Sequence, residues 1–211
     1  MDQKEYWDNS TGKIFTSTLH LDKLSQYLKK NDCILDVGCG YGRTLYELYE
    51  AGYKKLKGVD FSSKMIEKGR QLYPFLNLSV KKDKNLEFDN CSFDAVTLSA
   101  VLTCIVDNSE QEYLISEILR ILKPDGIFYV TDFLINDDER NLARYEVYES
   151  KYSIYGVFET PDGAVLRHHD IAWIKGLLSS FKMLELENIV YNTMNGHTSN
   201  AFYCICKKPS Y

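Results

Sequence analysis

The chain predicts a doubly wound α/β domain, a mostly parallel sheet with helices on both faces. Three observations carry this. Short apolar runs alternate with helix-length segments of 3.6-residue periodicity between residues 33 and 131. A glycine-rich turn, Asp36-Val37-Gly38-Cys39-Gly40-Tyr41-Gly42-Arg43, joins the first run to the first long helix. A lone acid, Asp60, ends the second run, Leu56-Lys57-Gly58-Val59. Strands joined through helices in this way use right-handed crossovers.

The elements follow in order. Leu19, Leu24, Tyr27 and Leu28 form a helical stripe before the first strand, and Tyr6-Trp7-Asp8 precedes it. Residues 33–37 are the first strand. A helix over 43–51 turns Leu45, Leu48 and Tyr49 inward and stops at Gly52. Residues 56–60 are the second strand. Ser62 caps a helix that runs to about Tyr73 and ends before Pro74. Residues 78–80 are a short third strand. Residues 93–98 are a fourth, apolar enough to be central. Ser109-Glu110-Gln111-Glu112 reads as a capping box before Leu114, Ile118, Ile121 and Leu122. Pro124-Asp125-Gly126 turns into a fifth strand over 127–131.

The alternation then breaks. Residues 133–169 are rich in tyrosine and acid and too long for an ordinary loop. Residues 171–180 read as a helix, and 182–190 and 200–206 as a hairpin through Thr193-Met194-Asn195-Gly196-His197-Thr198-Ser199.

Composition narrows the class. The 211 residues suffice for one domain, with 45% hydrophobic and 26% charged residues, as in ordinary soluble proteins. A net charge of −5 argues against a general nucleic-acid surface. The polar start, Met1-Asp2-Gln3-Lys4-Glu5, has no apolar signal segment behind it, and no apolar run is long enough to cross a bilayer. The expectation is a cytoplasmic protein without membrane or nucleic-acid partners. Six cysteines then read as reduced thiols, and no histidine or cysteine pair has metal-ligand spacing, so no metal is expected.

The turn selects the ligand. Dinucleotide sites space their glycines as G-x-G-x-x-G around a pyrophosphate. Here the spacing is Gly38-x-Gly40-x-Gly42, headed by Asp36, whose charge would repel a pyrophosphate and suit an ammonium group. Asp60, at the tip of the second strand, suits two ribose hydroxyls. A zwitterion at one end and a ribose at the other describe S-adenosylmethionine better than NAD.

At these residues the chain resembles the class I S-adenosylmethionine-dependent methyltransferases. Asp36 to Gly42 matches their first motif and Val59-Asp60-Phe61-Ser62 their second. Ser92-Phe93-Asp94-Ala95-Val96 resembles the start of their fourth strand, and Leu122-Lys123-Pro124-Asp125-Gly126 the turn into their fifth. The resemblance covers residues 30–135 and implies a Rossmann-like, mostly parallel seven-stranded sheet with an antiparallel last strand. It implies a single domain: an N-terminal helical cap (1–30), a cofactor core (31–132), a lid or substrate insertion (133–170), and a last helix and hairpin (171–211).

The implied cofactor is S-adenosyl-L-methionine, bound by Asp36, Gly38, Cys39, Gly40, Gly42, Asp60, Phe61, Asp83 and Ser99. The slot where the family carries an adenine-binding acid holds Lys82, with Asp83 displaced by one. The implied reaction is methyl transfer to an N, O or S atom of a small molecule under the 133–170 lid. A macromolecular acceptor (tRNA or protein) and a non-catalytic cofactor-binding protein are the alternatives. No Asn-Pro-Pro-Tyr-type run follows the fourth strand, where Thr97-Leu98-Ser99-Ala100 stands, which argues against a nucleic-acid base amine.

Ligands of open α/β sheets bind outside the carboxyl ends of the strands. That edge gathers His168, His169 and, with Asn195 at the hairpin tip, His197, but not His20. The three histidines are the candidate catalytic residues, suited to general-base work on a hydroxyl acceptor. Tyr145, Tyr148, Tyr152, Tyr155 and Phe158 would wall an aromatic cavity. The acids Asp137, Asp138, Glu139, Glu146 and Glu149 outnumber Arg140 and Arg144, which reads as a solvated face.

Overall fold

The computed structural model describes residues 3–194 and 196–210; Asn195 lies outside the described residues. Five parallel strands form the first part of the sheet: β1 (Cys33–Val37), β2 (Lys55–Asp60), β3 (Asn77–Val80), β4 (Phe93–Ser99) and β5 (Leu122–Phe133). Two short strands, β6 (Val157–Glu159) and β7 (Val165–Arg167), make a separate ribbon in the 133–170 segment. The hairpin β8 (Lys182–Asn192) and β9 (Thr198–Lys207) completes the order β3-β2-β1-β4-β5-β9-β8. Only β9 runs against its neighbours, pairing antiparallel with both β5 and β8. This is the expected Rossmann-like sheet of seven strands with a reversed last strand.

Successive side chains of a strand point to opposite faces, so a sheet buried on both sides needs apolar residues at every position. Leu35, Val37, Val96, Leu98, Phe128 and Val130 enter one core, covered by α5 (Asn108–Ile121) and α7 (Ile171–Leu177). Ile34, Ala95, Tyr129 and Tyr203 enter the other, under α3 (Arg43–Glu50), α4 (Ser63–Leu72) and the apolar residues Leu19, Leu24 and Leu28.

Local chemistry shifts several expected boundaries. The stripe around Leu24 is buried as expected, but it forms only the four-residue helix α2 (Leu21–Leu24). His20, at its N-cap, supplies no side-chain cap, and isolated turns of that length are not self-sustaining. α1 (Gln3–Asn9) adds a second short helix. α5 begins at Asn108, because the Asp107 carboxylate accepts the Glu110 N–H at 3.0 Å; Ser109 donates its hydroxyl to Asp107 instead of capping the helix itself. β5 starts at Leu122 and takes the expected turn as a bulge: Phe93 faces Leu122 and Ala95 faces Ile127, with Asp125 left-handed at φ 61°. α7 ends at Leu177, short of residue 180.

The 133–170 segment is not a bare loop. It holds α6 (Glu139–Tyr152), capped by Asp138, and the β6–β7 ribbon. Among the described residues no helix is long and apolar enough to cross a membrane.

Candidate active site

A cavity of about 1040 Å³ opens along the carboxyl ends of β1, β2 and β4 and continues under the 133–170 segment. That volume accommodates a nucleoside-sized ligand together with a second small molecule.

The glycine turn is shaped by what packs on it. Gly38 (φ 70°) and Gly40 (φ 54°) are left-handed, and each faces a wall: a Cβ on Gly38 would lie 2.4 Å from Val101 Cγ2, and one on Gly40 would lie 2.7 Å from the Phe15 ring. Both glycines line the cavity with Cys39. Gly42 does not. Its φ of 89° starts α3, and its missing Cβ makes room for Leu76 and Leu78, so its part is in packing.

Two carboxylates sit at opposite ends of this turn. Asp36 is buried and accepts the Thr97 hydroxyl at 2.7 Å. Burial pushes its carboxyl up to about 7, against the pull of the Thr97 hydrogen bond and the Arg43 charge. Asp60 accepts Gly40 N–H on Oδ2 and Ser62 N–H on Oδ1, each at 2.8 Å. Burial raises it above the usual carboxylate range, and those two N–H groups oppose the rise. One bond per oxygen leaves lone pairs on both for the two hydroxyls of a ribose. Phe61, Asp83 and Ser99 also line the cavity. The residues present therefore fit a ligand with a ribose at Asp60 and a cationic group at Asp36.

The N-terminal segment closes this half. Trp7 and Phe15 line the cavity, and Phe15 stacks on Tyr41 at 5.0 Å. Tyr6 is buried, does not line the cavity, and donates to Asp162 at 3.2 Å. Lys13 pairs with Asp162 at 2.5 Å, tying this segment to the β6–β7 turn.

The three histidines separate. His169 is buried away from the cavity, and both its ring nitrogens are engaged. Nδ1 meets Phe133 O at 3.2 Å, so it carries the proton; Nε2 faces the Gln111 side-chain N–H at 2.9 Å. Trp173 donates to Gln111 Oε1 at 2.8 Å and thereby fixes that amide's orientation. Burial, with the Arg167 charge, pushes His169 down to about 3, so it stays neutral. His169 is a packing residue and not one that reaches a ligand.

His168 lines the cavity and is nevertheless tightly held. Its Nδ1 lies 2.5 Å from Tyr145 OH and 3.1 Å from Asn136 Nδ2. Asn136 Nδ2 also faces Leu134 O at 2.9 Å and Ser199 Oγ at 3.0 Å, so it does not settle the tautomer; the Tyr145 hydroxyl accepts Asn136 N–H at 3.3 Å and, among the described residues, has Nδ1 alone to receive its own proton. Nδ1 is therefore an acceptor, and the ring proton sits on Nε2. Burial drives His168 well below its ordinary pKa, with the Arg144 charge adding to the effect. His197 is exposed on the cavity wall.

Of the five lid aromatics, Phe158 alone lines the cavity; Tyr145 stands behind His168 as its hydrogen-bond partner. Phe133, Arg140 and Arg144 line it as well, none of them foreseen from the sequence. The signal was present for the arginines: they are four residues apart and so share one face of α6. Among the described residues no group of three or more histidine, cysteine, aspartate or glutamate side chains is placed to hold a metal ion.

Comparison with known proteins agrees with this geometry. A family model described as a methyltransferase domain matches residues 34–126. The chain is 34% identical over 131 residues to a carboxy-S-adenosyl-L-methionine synthase of Campylobacter fetus, covering 60% of this chain and 56% of that protein. It is 30% identical over 116 residues to a ubiquinone/menaquinone biosynthesis C-methyltransferase of Campylobacter jejuni, covering 52% and 48%. The chain thus spans about half the length of the curated relatives it matches. A crystal structure of a SAM-dependent methyltransferase from Methanosarcina mazei superposes with a TM-score of 0.86 at 24% identity, covering 92% of this chain and all of that one, a likeness of fold.

Proposed function

We propose that the chain, in which residues 34–126 match a methyltransferase domain, is a class I S-adenosylmethionine-dependent methyltransferase that transfers a methyl group from S-adenosyl-L-methionine to an N, O or S atom of a small molecule. The observation that supports this reading is the continuity of one cavity from Asp60, past the glycine turn, to the space under the 133–170 segment.

Asp60 holds the ribose hydroxyls, the Gly38–Gly40 backbone and Asp36 hold the amino-acid end, and Phe61 and Asp83 border the adenine. When bound, the cofactor supplies an electrophilic methyl group on a sulfonium. The chain's own contribution is placement: two ligands are held in one cavity, and in favourable cases such alignment supplies roughly 7–11 kcal/mol of the barrier.

The histidines divide the remaining work. His168 Nε2–H is a hydrogen-bond donor to the acceptor molecule and not a base, because Nδ1 is already occupied. His197, exposed on the same cavity, is the residue placed to receive a proton from a hydroxyl acceptor.

Calorimetry with S-adenosylhomocysteine tests the cofactor site, and no binding at millimolar ligand would sink it. Tritiated S-adenosylmethionine incubated with a metabolite extract tests the acceptor. Label is expected in the acid-soluble fraction; label confined to acid-precipitable material would favour a macromolecular acceptor.

A further inference from the structure

The acids along the cavity are confined to one half. Asp36, Asp60, Asp83 and Glu110 border the half shaped by the glycine turn, together with the cations Arg43, Lys81, Lys82 and Lys84. The half under the 133–170 segment presents Arg140, Arg144, His168 and His197, and no described residue lining that half is acidic. The acids of the segment itself are exposed: Asp137, Glu139, Glu146 and Glu149 lie outside the lining. What reads as a solvated acidic helix in sequence is a helix that turns Arg144 inward, while Arg140 stays exposed at the cavity rim, 3.7 Å from Asp138.

Arg144 is built for a ligand. Its guanidinium carbon lies 3.3 Å from the Phe158 ring centre, so the planar group stacks on the ring and leaves its N–H edge open. The side chain is half-buried and lines the cavity; its Nε is shut off from solvent, which leaves the terminal guanidinium nitrogens as the edge a ligand can meet. The same Phe158 ring packs edge-on against His168 at 4.8 Å. The His168 Nε2–H, whose proton follows from the Tyr145 hydroxyl donating to Nδ1, is thus a second donor beside the first. No described residue accepts from it.

We propose that the acceptor molecule carries a carboxylate on an apolar body. The carboxylate binds the Arg144 edge, with the His168 Nε2–H and the Arg140 charge beside it. The body lies against Phe133, Phe158 and Met194. A planar guanidinium fork matches a carboxylate with two parallel hydrogen bonds, which makes Arg the specifying residue. The assignment of this group to the methyl acceptor rests on the methyltransferase reading; the anion site itself does not.

The test separates the two. Protein loaded with S-adenosylhomocysteine is titrated with benzoate, phenylacetate and 3-phenylpropionate, each against its neutral amide, and with phenyl phosphate. At least one carboxylate is expected to bind about tenfold or more tightly than its amide. Arg144→Gln should abolish that preference while leaving S-adenosylhomocysteine affinity unchanged, and Arg144→Lys should restore part of it. Carboxylates that bind no better than their amides overturn the proposal, as does a preference that survives Arg144→Gln or a phosphate that binds more tightly. In the tritium assay the labelled product should be retained on an anion exchanger. A neutral or cationic labelled product overturns the carboxylate and leaves the transferase standing. A carboxylate preference without any label transfer does the reverse: the site stands and the transferase reading falls.

Discussion

The Gly40 N–H donates to Asp60 Oδ2 at 2.8 Å, tying the turn after β1 to the tip of β2. One carboxylate therefore fixes the loop, and in the proposed reading it also presents oxygens to a ribose. Asp60→Asn preserves the shape and replaces one acceptor oxygen with an amide nitrogen. S-adenosylhomocysteine affinity should fall about 10–100-fold, on the order of 1.4–2.7 kcal/mol for a charge-assisted pair. Calorimetry beside a melting curve distinguishes this from unfolding, and an unchanged affinity would show that Asp60 does not touch the ligand.

Asp36 makes stability depend on pH in an unusual direction. Its carboxyl is raised to about 7 by burial, from an ordinary value of 3.8. Between those values the folded chain keeps a proton that the unfolded chain has lost, so stability falls as pH rises through the window. Asp132, buried at the end of β5, is raised to about 7 as well and acts in the same sense. His168 and His169, held low by burial, act in the opposite sense below about pH 6.5, so the test is a comparison with Asp36→Asn. From pH 5.5 to 7.5 the wild type should lose urea stability relative to Asp36→Asn, with a slope of up to ~1.4 kcal/mol per pH unit. A cationic ligand group favours the ionised carboxylate, so S-adenosylhomocysteine should bind more tightly as pH rises from 5.5 to 7. A difference between the two proteins that stays constant across that range would contradict the account.

Gly38→Ala combines two costs. A Cβ would sit 2.4 Å from Val101 Cγ2, on a residue with φ 70°. Strain at positive φ costs roughly 1–2 kcal/mol, and the clash adds to it. The variant should melt lower and lose most cofactor affinity. Adding Val101→Ala should relieve the clash and return only part of the loss, because the backbone strain stays. Full rescue by the second change would mean that the positive φ carries no cost.

What the sequence discloses depends on how local each cause is. The central strands are visible because both faces of each strand are buried, which leaves a continuous apolar run such as that of β4. The glycine turn and Asp60 are visible because their geometry needs particular residue types at fixed spacing. Helix ends shift where several capping residues lie together: Asp107 accepts the Glu110 N–H and starts the helix two residues before the cap expected at Ser109. His169 was drawn into the site because topology brings it to the right edge, but Gln111 and Phe133, distant in sequence, claim its nitrogens. Arg144 was hidden because a charge count along α6 does not say which face meets the cavity.

The last prediction concerns the N-terminal cover. Asp8 Oδ1 accepts the Ser62 hydroxyl at 2.7 Å and the Lys64 N–H at 3.3 Å, and Oδ2 pairs with Lys4 at 2.8 Å. Burial works against this carboxylate, yet the Lys4, Ser62 and Lys64 contacts hold it down at about 2. These bonds pin α1 to the start of α4, where the helix N-terminus also favours an anion. The residue they position is Trp7, which lines the cavity and packs edge-on against Phe15 at 6.0 Å. Asp8→Ala should loosen that edge with little effect on the fold, lowering Tm by no more than about 4 °C, since a partly exposed pair contributes ~1 kcal/mol or less. Dissociation of S-adenosylhomocysteine should quicken about three- to tenfold, as affinity changes within one site fall mostly on the off-rate. The chain has two tryptophans, and Trp173 lies outside the cavity lining, bonded to Gln111. A Trp173→Phe background therefore leaves Trp7 as the sole tryptophan reporter in stopped-flow fluorescence. An off-rate unchanged by Asp8→Ala would show that the N-terminal segment covers the cavity without gating it.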